Sequence, residues 1–420
     1  MKIAVIGAGI SGLGSALLLS QEHEVHLFES EPRLGGHAHT VKVSTAKVPE
    51  GVPVDTGFLV YNELTYPHFT QMMKYLDVKT VDSDMTLSIQ SLNGLEWAGT
   101  NLGTVFAQKR NLLSPKFLSM LLDILQFHRE ADENLELSRK NQWTLRDLIK
   151  ERKHGQAFQN LYLLPMTGAI WSMSYHQALD FPAETFLNFC MNHRLLQVNE
   201  RPVWKTVHRG SIEYVQKIEK RLQHIHLNSP VDHVRSTADG KVYVKSSGNE
   251  VLFDRVVLAT HAPISRKILG NEFPEFQDFL KKLSTNRNHV VLHRDASLMP
   301  KNKKCWAAWN VRAKSDSHSA APIELTYDID RLQKVNSGDH HFVTLNSSEN
   351  IQMVDRRFEY DHPCFDAELI SAQKRLTNFQ GLNGIYLAGA WTRYGFHEDG
   401  LLSAVRVAEH MGVRPPWSVL

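Results

Sequence analysis

The first 29 residues leave little choice of fold. The apolar run Lys2-Ile3-Ala4-Val5-Ile6 leads straight into Gly7-Ala8-Gly9-Ile10-Ser11-Gly12, and helix-forming residues follow. A second apolar run, Val25-His26-Leu27-Phe28, then ends in Glu29. G-x-G-x-x-G between two strand-like runs is the dinucleotide-binding β-α-β unit in the order its mechanics require. Gly7 allows the tight turn, Gly9 lets backbone approach a pyrophosphate, and Gly12 lets the helix pack on the strand. The helix, opened by Ser11, turns free N–H groups and a positive dipole end toward the phosphates. Glu29 stands where a carboxylate takes the two ribose hydroxyls, and it disfavours a 2′-phosphate, so NADP does not suit the site.

The next residues select the dinucleotide. Ser30-Glu31-Pro32-Arg33-Leu34-Gly35-Gly36 completes the pattern E-x-x-x-R-x-G-G. It resembles the FAD fingerprint of the flavin amine oxidase, phytoene desaturase and protoporphyrinogen oxidase superfamily. Arg33 is long enough to reach a phosphate, and Gly35-Gly36 lets the chain pass close beside it. The resemblance implies FAD, held non-covalently, with Ser30, Arg33, Gly35, Gly36 and His37 beside it. Three further segments extend the likeness. Val54-Asp55-Thr56-Gly57-Phe58 is similar to a segment beside the flavin ring in relatives, which implies Thr56 and Gly57 as contacts. Arg255 to Pro263 resembles the superfamily's A-T-x-P segment and implies Ala259 and Thr260; a strand starting near Val231 would pass its backbone to the adenine. Near the end, Gly384 to Trp391 and Gly395 to Ala404 resemble the strand and helix that hold the flavin end, implying Gly389, Ala390, Asp399, Gly400 and Leu401. Relatives place an acid directly after the strand glycine; here Ala390 and Trp391 stand there, with Glu398 or Asp399 as substitutes.

A narrower resemblance spans nearly the whole chain. Trp97-Ala98-Gly99-Thr100-Asn101, Gly168-Ala169-Ile170-Trp171-Ser172, Asp180-Phe181-Pro182-Ala183 and Gly395-Phe396-His397-Glu398-Asp399-Gly400 resemble a bacterial subgroup of NAD/FAD-binding flavoproteins linked with cyclopropane fatty-acid synthases. This implies chemistry on lipid acyl chains and a synthase-type methyltransferase as a partner.

The fold class that follows is α/β: a doubly wound, Rossmann-like FAD domain, discontinuous in sequence, with a mixed α+β substrate domain of amine-oxidase type. Residues 1–60, 205–265 and 376–420 are assigned to the FAD domain, and 61–204 and 266–375 to the substrate domain. Residues 61–204 read mostly as helices, with Pro115 opening one. Its stretch 117–127 is apolar nearly all round, which reads as a buried helix or subunit contact before a membrane-surface helix. Residues 231–260 alternate like strands, with turns at Asp239-Gly240 and Gly248-Asn249. With 420 residues the chain can bury a large core. Its 47 basic and 45 acidic residues leave no nucleic-acid footprint. Three scattered cysteines fit a reducing compartment, and no run reaches membrane-span length, so a cytoplasmic location is expected. His37-Ala38-His39 lacks supporting ligands, so no metal centre is expected.

Flavin carries the redox step, and the chain supplies position, electrostatics and exclusion of water. Trp97, Trp171, Trp204, Trp306, Trp309, Trp391, Tyr394 and Phe396 are the candidate walls of a dry pocket, Trp391 and Phe396 foremost because they flank the flavin-end motif. Amine oxidases of the superfamily often carry a lysine on a substrate-domain strand. The comparable stretch here, residues 288–295, has none; His293, or failing that His289, takes its place. His293, Trp391 and His397 are therefore the candidate catalytic residues. The expected activity is FAD-dependent oxidation, desaturation or isomerisation of an apolar substrate, a fatty acyl chain. The alternatives are amine oxidation with oxygen, and a flavin-bound partner of a lipid-modifying methyltransferase.

Overall fold

The structure is a computed structural model that describes residues 1–197, 201–313 and 320–417. Its organising element is a parallel sheet of five strands: β1 (Lys2–Ile6), β2 (Glu24–Phe28), β3 (His224–His226), β4 (Arg255–Leu258) and β5 (Ile385–Leu387), in the order β3-β2-β1-β4-β5. Strand order reverses between β1 and β4, which opens a crevice at their carboxyl ends, the place where doubly wound sheets bind ligands. Helix α1 (Ile10–Leu19) follows β1, and α2 (His397–His410) follows β5. Every residue of α1 is buried, because the helix lies between the sheet and α2. Two glycines permit that crossing. A Cβ on Gly14 would stand 2.8 Å from Leu401 Cδ1, and one on Gly400 would stand 2.7 Å from Ile10 Cγ2.

The strands of this sheet come from segments 1–60, 205–265 and 376–420. An antiparallel trio, Val231–Ser236, Val242–Ser246 and Asn249–Phe253, leads into β4. Its turns fall at Gly240 and Gly248, both at positive φ.

A second, mixed sheet has seven strands in the order Val354–Pro363, Thr285–His293, Phe342–Leu345, Glu324–Asp328, Trp309–Ala313, Leu87–Ser91 and Glu96–Ala98. The helices expected across 61–204 are present, including Pro115–Arg129 with Pro115 in its first turn and Ser114 as its cap. The segment also supplies four short strands that periodicity did not reveal: Tyr61–Asn62, Thr80–Asp82, Leu87–Ser91 and Glu96–Ala98. Tyr61–Asn62, Thr80–Asp82 and Glu96–Ala98, of two or three residues each, are too short to show a period. Leu87–Ser91 is defined by its parallel pairing with Trp309–Ala313, more than two hundred residues away. Helix Pro115–Arg129 corrects a further expectation. It buries Phe117, Met120 and Phe127, but leaves Leu118, Leu122 and Leu125 exposed by 39%, 68% and 57%.

One buried carboxylate joins the small antiparallel pair Thr40–Val43/Val52–Asp55 to the start of helix Ile212–Glu219 and the end of helix Ile329–Gln333. Asp55, at the end of strand Val52–Asp55, accepts hydrogen bonds from the Ser211 N–H (3.0 Å) and hydroxyl (2.9 Å), from Gln333 Nε2 (2.6 Å) and from the Thr40 hydroxyl. Burial pushes its pKa up to about 6 against the pull of those donors.

Candidate functional site

The crevice at the ends of β1 and β4 opens into a cavity of about 760 Å³. Gly7, Gly9, Ser11, Glu29, Ser30, Gly36, His37, Gly57, Val231, Ala259, Thr260, Gly389 and Ala390 all line it, together with Trp391 and His397. Residues from six separate segments thus meet at one surface.

The glycines of the first turn do distinct things. Gly7 has φ +96°, and a Cβ there would press 2.9 Å from the Ala259 carbonyl on β4's continuation. A Cβ on Gly12 would fall 1.7 Å from the Gly7 carbonyl, so α1 reaches this close to β1 only with glycine there. A Cβ on Gly9 would meet nothing within 4 Å; it would project into free space. The amino end of α1 carries no side-chain cap. Its N–H groups and dipole are left for a ligand. Glu29 closes the turn: its Oε2 accepts the Ala8 N–H (2.7 Å), and its Oε1 accepts the Glu31 N–H (2.9 Å). Gly36, at φ +56°, passes so near that its Cβ would lie 3.0 Å from Gly9 Cα.

Seven of the expected cofactor contacts stand behind the wall instead of in it. Gly12 serves packing. Arg33 does not point to the cavity; its guanidinium donates to the Gly36 carbonyl (2.9 Å) and pairs with Glu31 (3.2 Å), bracing the loop. Gly35 folds against Ala38. The Thr56 hydroxyl is engaged by Tyr360 (2.7 Å) and the His39 carbonyl (3.1 Å). Asp399 caps α2, accepting the N–H groups of Phe396 (3.0 Å) and Tyr394 (3.2 Å), and Gly400 and Leu401 pack on α1. Glu398 is no substitute acid either: it accepts the N–H groups of His68 and Phe69 (2.9 Å each) at the start of helix Pro67–Tyr75. Burial raises Glu398 to about 7 and Asp399 to about 6.

Of the catalytic candidates, Trp391 and His397 face the cavity. Trp391 is buried against Gly389, and its indole N–H finds no partner among the described residues. His397 stacks on Phe58 and bonds the Tyr214 hydroxyl through Nε2 (2.9 Å). Burial drops its pKa to about 3, so it is neutral at any ordinary pH. His293 is elsewhere. It is fully buried inside the seven-stranded sheet, bonded to Thr344 Oγ1 (2.7 Å) and the Asp295 N–H (3.1 Å), and is absent from the cavity lining. Its neighbour His289 is exposed and lies beside Glu359.

The structure adds residues that sequence reasoning passed over. His261 and His362 join His37 on the cavity wall, with ring centroids 5.8 and 5.3 Å from His37. Burial lowers the pKa of all three, that of His362 to about 4, and His37 Nε2 has no partner among the described residues. His261 directly follows the Ala259-Thr260 motif, which was a usable signal; His362 is brought in only by tertiary pairing. An aromatic compartment forms the opposite part of the lining. Phe189 stacks on Phe396 (4.8 Å) and on His193 (3.9 Å), Trp171 packs against Phe189 (4.9 Å), and Trp309 meets Tyr327 edge-on (5.0 Å). Leu59, Val60 and Met85 complete it. Of the tryptophans proposed as walls, Trp97 and Trp306 do not take part. His193 is the imidazole of that compartment, stacked on Phe189. Its Nδ1 bonds the Phe189 carbonyl (2.9 Å), which fixes the proton on Nδ1 and leaves Nε2 as an acceptor. Burial lowers its pKa to about 4.

A metal-ligand spacing occurs far from here. Glu24, His26 and His224 bring ligand atoms within 4.8 Å of one another at the amino ends of β2 and β3. His26 bonds Glu24 (2.9 Å) and His226 (3.1 Å) there and stacks on His224 (4.3 Å).

The sequence model of the flavin containing amine oxidoreductase family matches residues 10–293. A zeta-carotene desaturase of Zea mays is 40% identical over 62 residues, 14% of this chain; the match spans a tenth of that relative's length. Two solved structures share the fold over 98% of this chain. One is a CLA-producing fatty acid isomerase from P. acnes (13% identity, 98% of that chain, TM-score 0.69). The other is a cyclohexylamine oxidase from Brevibacterium oxydans (14% identity, 99% of that chain, TM-score 0.68). The crevice suits the family's cofactor. The open space at Gly9, the uncapped start of α1 and the unpartnered His37 Nε2 and Trp391 Nε1 offer donors and room along one continuous wall.

Proposed function

We propose, because the chain belongs to the flavin containing amine oxidoreductase family and is an FAD-dependent oxidoreductase, that its substrate is a fatty acyl chain which it oxidises, desaturates or isomerises. The observation that carries this reading is the aromatic and aliphatic compartment built by Trp171, Phe189, Trp309, Tyr394 and Phe396, none of them charged; of the acids elsewhere on the cavity lining, Glu29 holds the Ala8 and Glu31 N–H groups and Asp361 pairs with Arg287, while Glu398 and Asp399 cap helices. A protonated amine would enter such a compartment without a counter-ion, at a cost of several kcal/mol by the general penalty of burying unpaired charge, about 3–5 kcal/mol. An apolar chain enters with a gain of about 25 cal/mol per Å² of buried surface.

In this reading FAD, when bound, supplies the two-electron acceptor for a hydride from substrate carbon. The chain's residues do the rest. Gly7, Gly9, Ser11 and Gly36 would hold the cofactor's diphosphate, Glu29 its ribose, Val231, Ala259 and Thr260 the adenosine side, and Gly57, His37, Gly389, Ala390 and Trp391 the flavin side. The compartment excludes water. His193 Nε2 takes the proton that must leave the carbon adjacent to the hydride donor when a double bond forms. His397 is held neutral by burial and positions Phe58 by stacking. The cofactor unit comprises 1–60, 205–265 and 376–420, and the remainder forms the substrate unit.

Incubating the holoenzyme with an acyl phospholipid and an electron acceptor, followed by mass spectrometry of the released acyl chains, tests the reading. Loss of a hydrogen pair or a moved double bond supports it. Unaltered lipid together with peroxide released from amines overturns it.

A further inference from the structure

Seven of the fifteen exposed large hydrophobic side chains among the described residues are leucines between positions 92 and 125. They cluster by construction. Leu92 sits at the tip of the hairpin formed by strands Leu87–Ser91 and Glu96–Ala98, and Arg110 and Gln108 donate to the Gly94 carbonyl of that hairpin. The short helix Lys109–Leu113 leads directly into helix Pro115–Arg129. Leu113 is 87% exposed and Leu122 68%. Leu118, Leu122 and Leu125 recur at helical spacing, so they form one outward stripe opposite the buried Phe117, Met120 and Phe127. Patches of this kind on a soluble surface mark a contact.

The charge around the stripe is one-sided. Residues 99–129 hold four cations, Lys109, Arg110, Lys116 and Arg129, and a single acid, Asp123; Arg129 pairs with the adjoining Glu130 (3.5 Å), so the basic collar is Lys109, Arg110 and Lys116. Asp123 is already used by the Gly155 N–H (3.0 Å) and by His154 (3.6 Å). This local excess stands out in a chain whose total charge is only +2. Arg110 and Lys116 also line a cleft of about 360 Å³ between the hairpin tip and the start of the helix. No helix of the described residues is long and apolar enough to cross a membrane, so any lipid contact is made from one side.

We propose that this face, the leucine stripe with its basic collar, is a docking surface for an anionic phospholipid bilayer. Leucines enter the acyl boundary while lysine and arginine meet phosphate groups, the arrangement that lets an amphipathic helix lie in a membrane interface. The proposal does not depend on acyl turnover, because lipid binding is read without it.

The test is flotation of the holoenzyme with vesicles of phosphatidylcholine alone and of equimolar phosphatidylcholine and phosphatidylglycerol, at low and high salt. Two variants are compared, L113S/L122S/L125S and K109E/R110E, with flavin content and melting temperature confirming that each is folded. The wild type floats with the anionic vesicles, less at high salt, and each variant loses about tenfold or more of the bound fraction. The proposal is overturned if the wild type stays unbound, or if the leucine variant binds as well as the wild type. It is equally overturned if the wild type is a dimer that the leucine variant dissociates, without vesicle binding by either.

Discussion

Phe58 and His397 stack face to face, with ring centroids 3.7 Å apart and planes 7° from parallel. One comes from the Asp55-Thr56-Gly57-Phe58 segment and the other opens α2, so the stack joins two distant motifs at the cavity wall. Burial at this wall makes His397 a neutral ring, which has a consequence for acid stability. His39, His128, His193, His293 and His362 fall to about 4 and His397 to about 3, each through burial. Unfolded histidines take up protons near 6.5, so between pH 6.5 and about 4 the unfolded chain binds more protons than the folded one at these six sites. Stability therefore falls as pH falls through that window. Asp55 and Asp399, raised to about 6, and Glu398, raised to about 7, act in the opposite sense, but they are three against six. Melting temperature measured from pH 7 to 4.5 should decline steadily, and H397F should decline less steeply than wild type.

Two glycines two residues apart should separate folding from cofactor binding. G9V places its side chain in open space, so the protein should fold with a melting temperature near wild type and yet purify without FAD. G7A must adopt φ +96° and press on the Ala259 carbonyl, so it should lose roughly 1–3 kcal/mol of stability. Comparison of flavin absorbance with thermal unfolding checks both at once.

Asp55 should behave as a structural carboxylate. In D55N an amide N–H₂ faces the Ser211 and Gln333 donors, and the joint between strand Val52–Asp55 and those two helices is broken. A loss of roughly 2–4 kcal/mol is expected from an unsatisfied buried network. Denaturant unfolding of D55N and of G9V as a control measures it.

His193 and His293 should part company. H193F should reduce the rate of flavin reduction by the true substrate about a hundredfold or more, the ordinary worth of a general base. H293N should cost roughly 1–2 kcal/mol through its lost bond to Thr344, while leaving flavin reduction near wild type. Stopped-flow reduction of both variants, beside their melting curves, decides between the two histidines.

The elements that were legible in the sequence are those whose chemistry is local. Gly7, Gly9 and Gly12 are fixed by one turn, and Glu29 by the end of one strand, so their placement could be argued from thirty residues. The strand trio 231–253 was legible from alternation and its turn glycines. What escaped was set by contacts distant in sequence. Arg33 was free in the sequence to reach a phosphate, but the Gly36 carbonyl and Glu31 claim it. Glu398 and Asp399 looked available beside the flavin motif, yet two helix starts need their carboxylates. His293 shares the strand position where relatives carry a lysine, but its ring turns into the sheet toward Thr344. His193 carried no sequence signal, because its meaning comes from Phe189 and Phe396 closing around it.

The most direct test is anaerobic mixing of the oxidised holoenzyme with an acyl phospholipid panel and an amine panel, followed by the visible flavin band. The account predicts bleaching by an acyl lipid and slow or absent bleaching in H193F. Bleaching by amines alone, with every acyl lipid inert, would contradict it.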